Sequence, residues 1–413
     1  MPAAPGSVDS PSAEFRLACL CCGRAADADL LPLLPAIEVP AFLALVIERH
    51  RIGPLVARRL RALPADTLPP LLMAGLDEDR RRNRLRTLQA TRSHVLLDRG
   101  FGAAGIPWLP FKGLTLACRY YPDPADRQVN DLDLWVPVAR LDDARAVLAR
   151  EGFRFDPGSA HWDLAERGPR HRDFLQRWTV EETHRSREHG AVDLHWQLGD
   201  NPALFRLSPE ALLAGRETVE IAGRPLPVMR HEDLLLYLCE HGGKHGWFRL
   251  KWLADLPRVI DHQPLDWPAL FERARELGCE RSLLLGLALS ERLLRWPPPP
   301  EVAARIARFR YRRVLLGIVE ALLLASAEGM ERHATTSRRL MLLTAMARLL
   351  LSGRWPALRH GLWRLSLSPQ DLRLLPLPDR LLPLYRLLRP LLVIWRRARH
   401  HWRQARDRMI AST

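Results

Sequence analysis

Asp131 and Asp133 are the residues whose type and spacing most directly indicate chemistry. They stand in DLDLWV, residues 131–136, where acidic and apolar side chains alternate. A β-strand would place both carboxylates on one face and the apolar side chains on the other. Two such close carboxylates repel each other and are costly to desolvate unless a positive charge lies between them. The pair therefore predicts a site for Mg²⁺ or Mn²⁺, which would bind substrate phosphates; the alternative is a strand whose polar face meets water.

A third acid lies in a second strand-like segment. Residues 191–196, AVDLHW, also alternate, so Asp193 and His195 share one face. If this strand neighbours the first, Asp193 could complete the metal site or take a proton from an attacking hydroxyl group. A structural hydrogen bond is the simpler interpretation of His195.

Lys112 and Gly113 precede the acid pair, between an apolar run and the helix-like segment LTLACRYY, and a loop containing Arg127 follows. The Lys-Gly turn, the Arg-bearing loop, the D-x-D strand, the later acid and the segment HGGKHGWFRLKWLADL, residues 241–256, stand in this order. Together they resemble the nucleotidyltransferase superfamily with a polymerase-beta-like core, and in particular its uncharacterised bacterial branch. The resemblance covers roughly residues 100–260.

The resemblance implies transfer of a nucleoside monophosphate from a nucleoside triphosphate to an acceptor hydroxyl, with release of pyrophosphate. The catalytic residues, which would also hold Mg²⁺ or Mn²⁺, are then Asp131, Asp133 and Asp193. Lys112 and Gly113 would contact phosphate, and Arg127 would stabilise the leaving group. The nucleotide site would also draw on His241, Lys244, His245 and Lys251. The alternative for these four is a capped helix end with Trp247 and Trp252 packed into the core.

One feature departs from the broader superfamily. Its members usually carry a Gly-Gly or Gly-Ser turn shortly before the acid pair, whereas this chain has Lys112-Gly113-Leu114 and a longer spacer. The uncharacterised branch shares the Lys-Gly form. The alternative function is a catalytically weak or inactive binding or assembly protein with this fold, for which the resemblance implies a link to exopolysaccharide biosynthesis.

Patterning divides the 413 residues into four segments and predicts an α+β fold. These are a disordered N-terminus (1–12), an N-terminal helical block (13–99), a small mixed β-sheet nucleotidyltransferase core (100–262) and a long C-terminal helical region with a basic tail (263–413). Within the core, the polar segment 156–190 is expected to form a loop or irregular strand pair over the site, where Arg170 or Arg172 could contact phosphate.

The net charge of +15 indicates anionic partners such as nucleotides, nucleic acid, acidic glycans or a membrane surface. Six cysteines lack the paired spacing of zinc sites, which favours buried thiols in a reducing cytoplasm. The N-terminus lacks the features of a signal peptide, and no apolar run is long enough to span a bilayer. We therefore expect a soluble cytoplasmic protein.

The C-terminal segment 386–408 interleaves Arg with Leu, Ile and Trp. Such a basic amphipathic helix could lie on an anionic membrane surface. It could equally pack its apolar side on the preceding helices and leave Arg in water. The expected partners are a nucleoside triphosphate and an unknown hydroxyl acceptor. Nucleic acid is a weaker candidate, and its binding through the tail would depend steeply on salt.

Overall fold

The computed structural model describes residues 11–157, 168–199, 205–325, 338–352 and 354–396. Helices at both ends of the chain enclose a five-stranded mixed sheet, which confirms the predicted α+β class. Of the N-terminal segment predicted to be disordered, residues 1–10 lie outside the described ranges. Ser12 caps the first helix by accepting a hydrogen bond from the Phe15 amide.

The N-terminal region is helical, as its pattern predicts. It contains α1 (Ala13–Cys22), α2 (Asp27–Leu30), α3 (Val39–Leu43), α4 (Gly53–Leu60) and α5 (Pro70–Ala103), with short helical turns at Leu31–Ala36, Ala44–Arg49 and Ala65–Thr67. The sequence signal for the start of α5 is a proline, which the first turn tolerates because its amide has no partner within the helix.

Helix α5 is 34 residues long and buries an unusually polar stripe at helical spacing. Asp79, Asn83, Thr87 and Ser93 all lie on its buried side. Asn83 holds the loop that precedes the acid pair: its side-chain amide donates to the carbonyls of Ala125 (2.7 Å) and Arg127 (2.9 Å), and its Oδ1 accepts from the Val129 amide (3.0 Å). The helix therefore positions this loop.

The sheet has the strand order β1-β2-β5-β4-β3, in which only β2 and β5 are parallel. Its strands are β1 (Leu109–Pro110), β2 (Leu132–Trp135), β3 (Arg154–Phe155), β4 (Glu181–Ser186) and β5 (Gly190–His195). Helices α6 (Leu114–Tyr120), α7 (Leu141–Arg150) and α8 (Pro169–Trp178) connect them, with short turns at Pro124–Asp126 and Val138–Arg140. Apolar residues of β2 and β5 pack with those of α5 and α7 on one face. The other face is left for the acids.

The segment 156–190 differs from its prediction. It contains helix α8 and the regular strand β4 where a loop or irregular strand pair was expected, and residues 158–167 lie outside the described ranges. Arg170 donates to the Arg380 carbonyl (3.2 Å), and Arg172 lies 3.6 Å from Asp142. The two arginines therefore contact protein groups rather than the acid cluster, because the helix turns them toward the C-terminal region and α7.

In the described ranges the second half of the chain is helical apart from one hairpin, formed by β6 (Glu217–Ile221) and β7 (Arg224–Val228). Its helices are α9 (Pro209–Ala214), α10 (His231–Lys244), α11 (Leu250–Ile260), α12 (Trp267–Leu277), α13 (Glu280–Leu294), α14 (Pro300–Arg308) and α15 (Arg312–Leu324), followed by helices over Arg338–Ser352, Arg354–Ser366, Pro369–Leu374 and 385–396 and a turn at Asp379–Leu384.

The largest hydrophobic core joins both ends of the chain. Buried residues of α1 and α4 belong to the same cluster as those of α10, α11 and α13. A smaller cluster packs α8 against the C-terminal helices, with Tyr385 and Leu392 buried. The predicted segment boundaries stay predictions. No helix in the described ranges is both long enough and apolar enough to cross a membrane.

Candidate active site

Three acids lie together on one face of the sheet. Asp133 on β2 is directly opposite Asp193 on the parallel neighbour β5, and Asp131 immediately precedes β2. Residues two apart on a strand share a face, as do residues opposite each other on neighbouring strands. The fold therefore brings together carboxylates that are separated by about sixty residues of sequence.

These carboxylates influence one another's ionisation. Burial and the negative charges of Asp131 and Asp133 raise the pKa of Asp193 to about 7. Burial and Asp133 also raise the pKa of Asp131. Burial opposes ionisation of Asp133 as well, yet the neighbouring Lys112 and His195 hold its pKa well below the usual range. At neutral pH Asp133 is thus ionised, and Asp193 lies near its point of half-ionisation.

Lys112 and His195 both contact the same oxygen of Asp133. The Lys112 ammonium lies 2.7 Å from Oδ1, and His195 Nε2 lies 3.1 Å from it. The other ring nitrogen of His195 lies 3.1 Å from the Glu181 carboxylate, and its ring packs edge-on against Phe111. The hydrogen bond to Asp133 is a structural contact of the kind that the sequence favoured for His195.

Asp131 and Asp193 open into a cleft of about 680 Å³ between the sheet and the N-terminal helices. Asp193 accepts a hydrogen bond from the Thr183 hydroxyl at 2.7 Å. The cleft carries four arginines as well as acids; its charged and polar lining is Glu48, Arg51, Asp79, Arg82, Arg86, Gln128, Asn130, Asp131, Thr183, Arg185 and Asp193. Such a cleft can hold an anionic ligand beside the carboxylates.

The donor chemistry of this cluster suits a hard divalent cation. All three acids supply oxygen ligands. Burial and mutual repulsion together raise the pKa of Asp193, and positive charge among the acids would relieve the repulsion. Within the described ranges, however, no three His, Cys, Asp or Glu side chains already surround one metal position. One reason is that Asp133 is already paired with the Lys112 ammonium.

Gly113 forms the tight turn that brings Lys112 to Asp133. Its backbone has φ 54° and ψ −118°, a conformation that residues with a Cβ rarely adopt. A Cβ at this position would lie 2.7 Å from the Asp131 carbonyl oxygen. The glycine is therefore required by the close approach of the turn to the acid-bearing strand.

Comparison with known families identifies the chain. A family described as "Uncharacterised nucleotidyltransferase" matches residues 35–295, which is more than half of the sequence. The chain belongs to this nucleotidyltransferase family. The resemblance drawn from the sequence motifs is thereby confirmed, and family membership implies a nucleotide substrate.

A solved structure, that of the lincosamide antibiotic adenylyltransferase LnuA with lincomycin bound, shows limited similarity to this chain. The sequences are 12% identical, and the match covers 42% of this chain and 97% of LnuA with a TM-score of 0.29. A similarity of this size carries no argument about substrate or mechanism. The search of curated proteins gave no match.

Arg127 is committed to protein contacts. Its guanidinium donates to both oxygens of the buried Asp255, at 2.8 and 2.9 Å, and to the Gly113 carbonyl at 2.9 Å. Asp255 also accepts from the Tyr121 hydroxyl at 2.7 Å. The arginine thus ties α11 to the Gly113 turn. The contact with a leaving group that the resemblance implies stays a prediction.

The three candidates on and beside α10 occupy different places. His241 is half-buried, and burial and the charge of Lys112 hold its pKa well below the usual range, so it lies on the side of the acid cluster. His245 stacks with His241 and Trp252 at ring distances of 4.6 and 5.1 Å. Lys244 lines a separate cavity of about 30 Å³. Their role in nucleotide binding stays a prediction.

Two further cationic residues interact electrostatically with the acids. Burial lowers the pKa of Lys251 on α11 to about 8, and the side chain also interacts electrostatically with Arg127 and Asp131. Arg185 on β4 interacts electrostatically with Asp193 and Asp131. Lys251 was among the residues of the His-rich segment for which the sequence suggested a place in the nucleotide site.

Sequence reasoning missed several residues that line the cleft: Arg51, Asp79, Arg86 and Arg185. Asp79 is the most informative, because it is 5% exposed and its Oδ2 has no hydrogen-bond partner in the described structure. A signal was available in the buried face of α5, where Asp79, Asn83 and Thr87 repeat at helical spacing. A polar stripe on the buried side of a long helix indicates a polar surface opposite it.

Proposed function

We propose that this protein transfers a nucleoside monophosphate from a nucleoside triphosphate to an acceptor hydroxyl and releases pyrophosphate. The observation that carries the proposal is the placement of Asp131, Asp133 and Asp193 on one face of two paired strands, beside an arginine-lined cleft. Nothing in the core requires three carboxylates together, since each increases the cost of ionising the others.

The acceptor oxygen would form a new bond to the α-phosphorus, and the bond from that phosphorus to the bridging oxygen would break. Pyrophosphate leaves with the bonding electron pair. Asp193, with a pKa of about 7, is suited to take the proton from the attacking hydroxyl near neutral pH. Thr183 orients the Asp193 carboxylate by donating to its Oδ1.

Asp131, Asp133 and Asp193 would hold Mg²⁺ or Mn²⁺. When bound, the metal would neutralise the triphosphate and the charge that develops as pyrophosphate leaves. In this proposal Lys112 stabilises the ionised Asp133 before substrate binds and contacts phosphate afterwards. Arg127 acts indirectly, because its hydrogen bond to the Gly113 carbonyl fixes the turn that carries Lys112.

The test is calorimetric titration of each common nucleoside triphosphate, ATP first, into the full chain with Mg²⁺. We expect metal-dependent binding of at least one nucleotide, and loss of that binding in Asp131→Asn and Asp133→Asn. The variants should keep the wild-type far-ultraviolet circular dichroism. Undiminished binding in both variants would overturn the assignment of these acids.

A second candidate is a catalytically weak or inactive protein with the nucleotidyltransferase fold that serves binding or assembly, for instance in exopolysaccharide biosynthesis. The contact between the Lys112 ammonium and Asp133 favours it, because a lysine here occupies an oxygen that a metal would use. Nucleotide binding without any metal dependence would support this second candidate over the first.

We propose the cytoplasm as the compartment. All six cysteines are free thiols, five of them buried, which suits a reducing environment.

Peripheral membrane contact is a separate proposal that rests on the C-terminal helix 385–396. One side of this helix packs on the protein through Tyr385 and Leu392. The other side exposes an apolar stripe at helical spacing, formed by Leu387, Leu391, Ile394 and Trp395. An anionic lipid surface is the occupant we propose, because the chain has a net charge of +15 and the segment following the stripe is rich in Arg.

A further inference from the structure

A second groove, of about 940 Å³, adjoins the cleft. Arg185 lines both cavities, so the two are neighbours on the surface. Besides Arg185, five arginines line this groove, from α5, the end of α7, β3 and the β4–β5 turn: Arg92, Arg99, Arg150, Arg154 and Arg187. The acids among its lining residues are Glu151 and Glu188.

Most of this positive charge is not neutralised by the described part of the protein. Arg92 pairs with Glu188 at 2.5 Å, and Arg185 pairs with Asp156 at 2.7 Å. Arg99, Arg154 and Arg187 are exposed and form no ion pair with a residue in the described ranges. The groove therefore presents a cluster of guanidinium groups to solvent.

The placement of Arg154 is unfavourable for stability alone. It lies directly opposite Arg185 in the antiparallel pairing of β3 with β4, so the two side chains share a face. Like charges directly opposite each other destabilise a strand pair. Asp156, two residues along from Arg154, compensates one of the two charges. An anionic ligand would compensate the other.

The groove is close enough to Asp193 for one bound molecule to reach both. Thr183 pairs with Asp193, and Arg185 pairs with Ala191, so Arg185 lies on the face of Asp193 two residues further along. Two residues of strand span roughly 7 Å. An anionic group at Arg185 and Arg154 could thus belong to the same molecule as a hydroxyl placed at Asp193.

We propose that the acceptor is a phosphorylated molecule, whose phosphate binds among the arginines of this groove while its hydroxyl reaches Asp193. This inference rests on the proposed nucleotidyl transfer. The cationic residues lining the groove are all Arg, and the planar guanidinium forms paired hydrogen bonds with phosphate oxygens. A soluble sugar phosphate and the phosphates of a nucleic-acid strand share this chemistry.

The test uses Arg99→Ser/Arg154→Ser/Arg187→Ser in the full chain. The matched control is Arg16→Ser/Arg308→Ser/Arg313→Ser, which removes equal charge from exposed arginines that do not line this groove. The probes are glucose 1-phosphate, uncharged glucose and a short single-stranded oligouridylate. Binding is measured with EDTA present, so that the metal-dependent nucleotide site does not contribute. Binding of ATP with Mg²⁺ is measured in parallel.

We expect glucose 1-phosphate or the oligonucleotide to bind the wild type, and glucose not to bind. The groove variant should lose about tenfold or more in affinity, while the control stays within about twofold. The probe that binds identifies the source of the phosphate. Equal weakening in both triple variants, or binding of neither phosphorylated probe, would overturn the inference. Retained ATP binding in that case would leave the proposed nucleotidyl transfer intact, whereas loss of metal-dependent ATP binding in the wild type would refute that function instead.

Discussion

The ammonium nitrogen of Lys112 lies 2.7 Å from Oδ1 of Asp133, and both side chains are largely buried. The ion pair thus places a positive charge beside strand β2, where the D-x-D pattern predicts a metal. Lysine and metal are two ways of meeting the same electrostatic need, because an ionised carboxylate is costly to bury without a counter-charge. The contact suggests an exchange of one cation for the other during substrate binding.

Lys112→Gln should show whether a metal ion can replace the Lys112 ammonium as the counter-charge of Asp133. Removing the ammonium leaves Asp133 buried without its partner, which we expect to cost about 3–5 kcal/mol of unfolding free energy. If Mg²⁺ binds the acids, it should recover part of this loss, so that the rise in melting temperature on adding Mg²⁺ is larger for the variant than for the wild type. Equal rises would contradict an exchange. Lys112→Gln/Asp133→Asn is the control, because it removes both charges and should regain stability without metal.

The acid face could be predicted from the sequence because it depends on local order. Alternation with a period of two fixes which side chains of 131–136 share a face, whatever the strand pairs with. The contacts that complete the site are not local. Arg127 pairs with Asp255, which lies 128 residues away, and nothing in either segment specifies the other. Helix α8 was missed because its segment is dominated by polar residues, and Phe174, Leu175 and Trp178 form its narrow apolar side.

The ionisation of Asp193 predicts a pH-dependent difference between the wild type and Asp193→Asn. Its pKa is about 7 in the folded protein against a normal value of 3.8, so the folded state binds the proton more tightly than the unfolded state. The stabilisation from this carboxyl is complete below about pH 4 and is lost as the pH rises through 7. The stability of Asp193→Asn relative to the wild type should therefore increase between about pH 4 and pH 7 in metal-free buffer.

This comparison is made by urea unfolding at several pH values. The difference between the two proteins is needed because buried His50 and His94, whose pKa values burial lowers to about 3 and about 4, add the opposite slope to both. Mg²⁺ should reduce the difference by favouring the ionised carboxylates. A pH-independent difference would show that Asp193 ionises normally.

Gly113→Ala tests the tight turn. The new Cβ would lie 2.7 Å from the Asp131 carbonyl oxygen, at a φ of 54°, and we expect a loss of about 1–3 kcal/mol together with weaker nucleotide binding. Gly102→Ala is the matched control, since a Cβ there meets nothing within 4 Å and the residue is helical. The control should be neutral or stabilised by up to about 1 kcal/mol. Equal effects of the two changes would remove the structural reason for Gly113.

The buried pair of Arg127 and Asp255 predicts strong non-additivity. Arg127→Met should destabilise the protein by about 3–5 kcal/mol, because it leaves Asp255 buried with the Tyr121 hydroxyl as its remaining side-chain donor among the described residues. Arg127→Met/Asp255→Leu should recover most of that loss. A double-mutant cycle by urea unfolding measures the coupling, and additive effects would contradict it. If the double variant regains stability but not nucleotide affinity, Arg127 also contacts substrate, as its motif implies.

The exposed stripe on the last described helix predicts binding to anionic lipid. Leu387, Leu391 and Ile394 are 77%, 66% and 65% exposed. Insertion into a membrane would remove this apolar surface from water, which favours binding. We expect the full chain to float with vesicles containing phosphatidylserine but not with pure phosphatidylcholine vesicles. Changing these three residues to Ser should abolish flotation.

The matched control for that experiment is Leu71→Ser/Leu85→Ser/Leu88→Ser on α5, where the leucines are 66%, 57% and 61% exposed. Both triple variants remove similar exposed apolar area, so only a specific membrane face distinguishes them. Flotation that survives the C-terminal changes, or that the α5 changes abolish equally, would contradict the assignment. Self-association of the wild type that the C-terminal changes remove, without any vesicle binding, would show that a second copy of the chain covers the stripe instead.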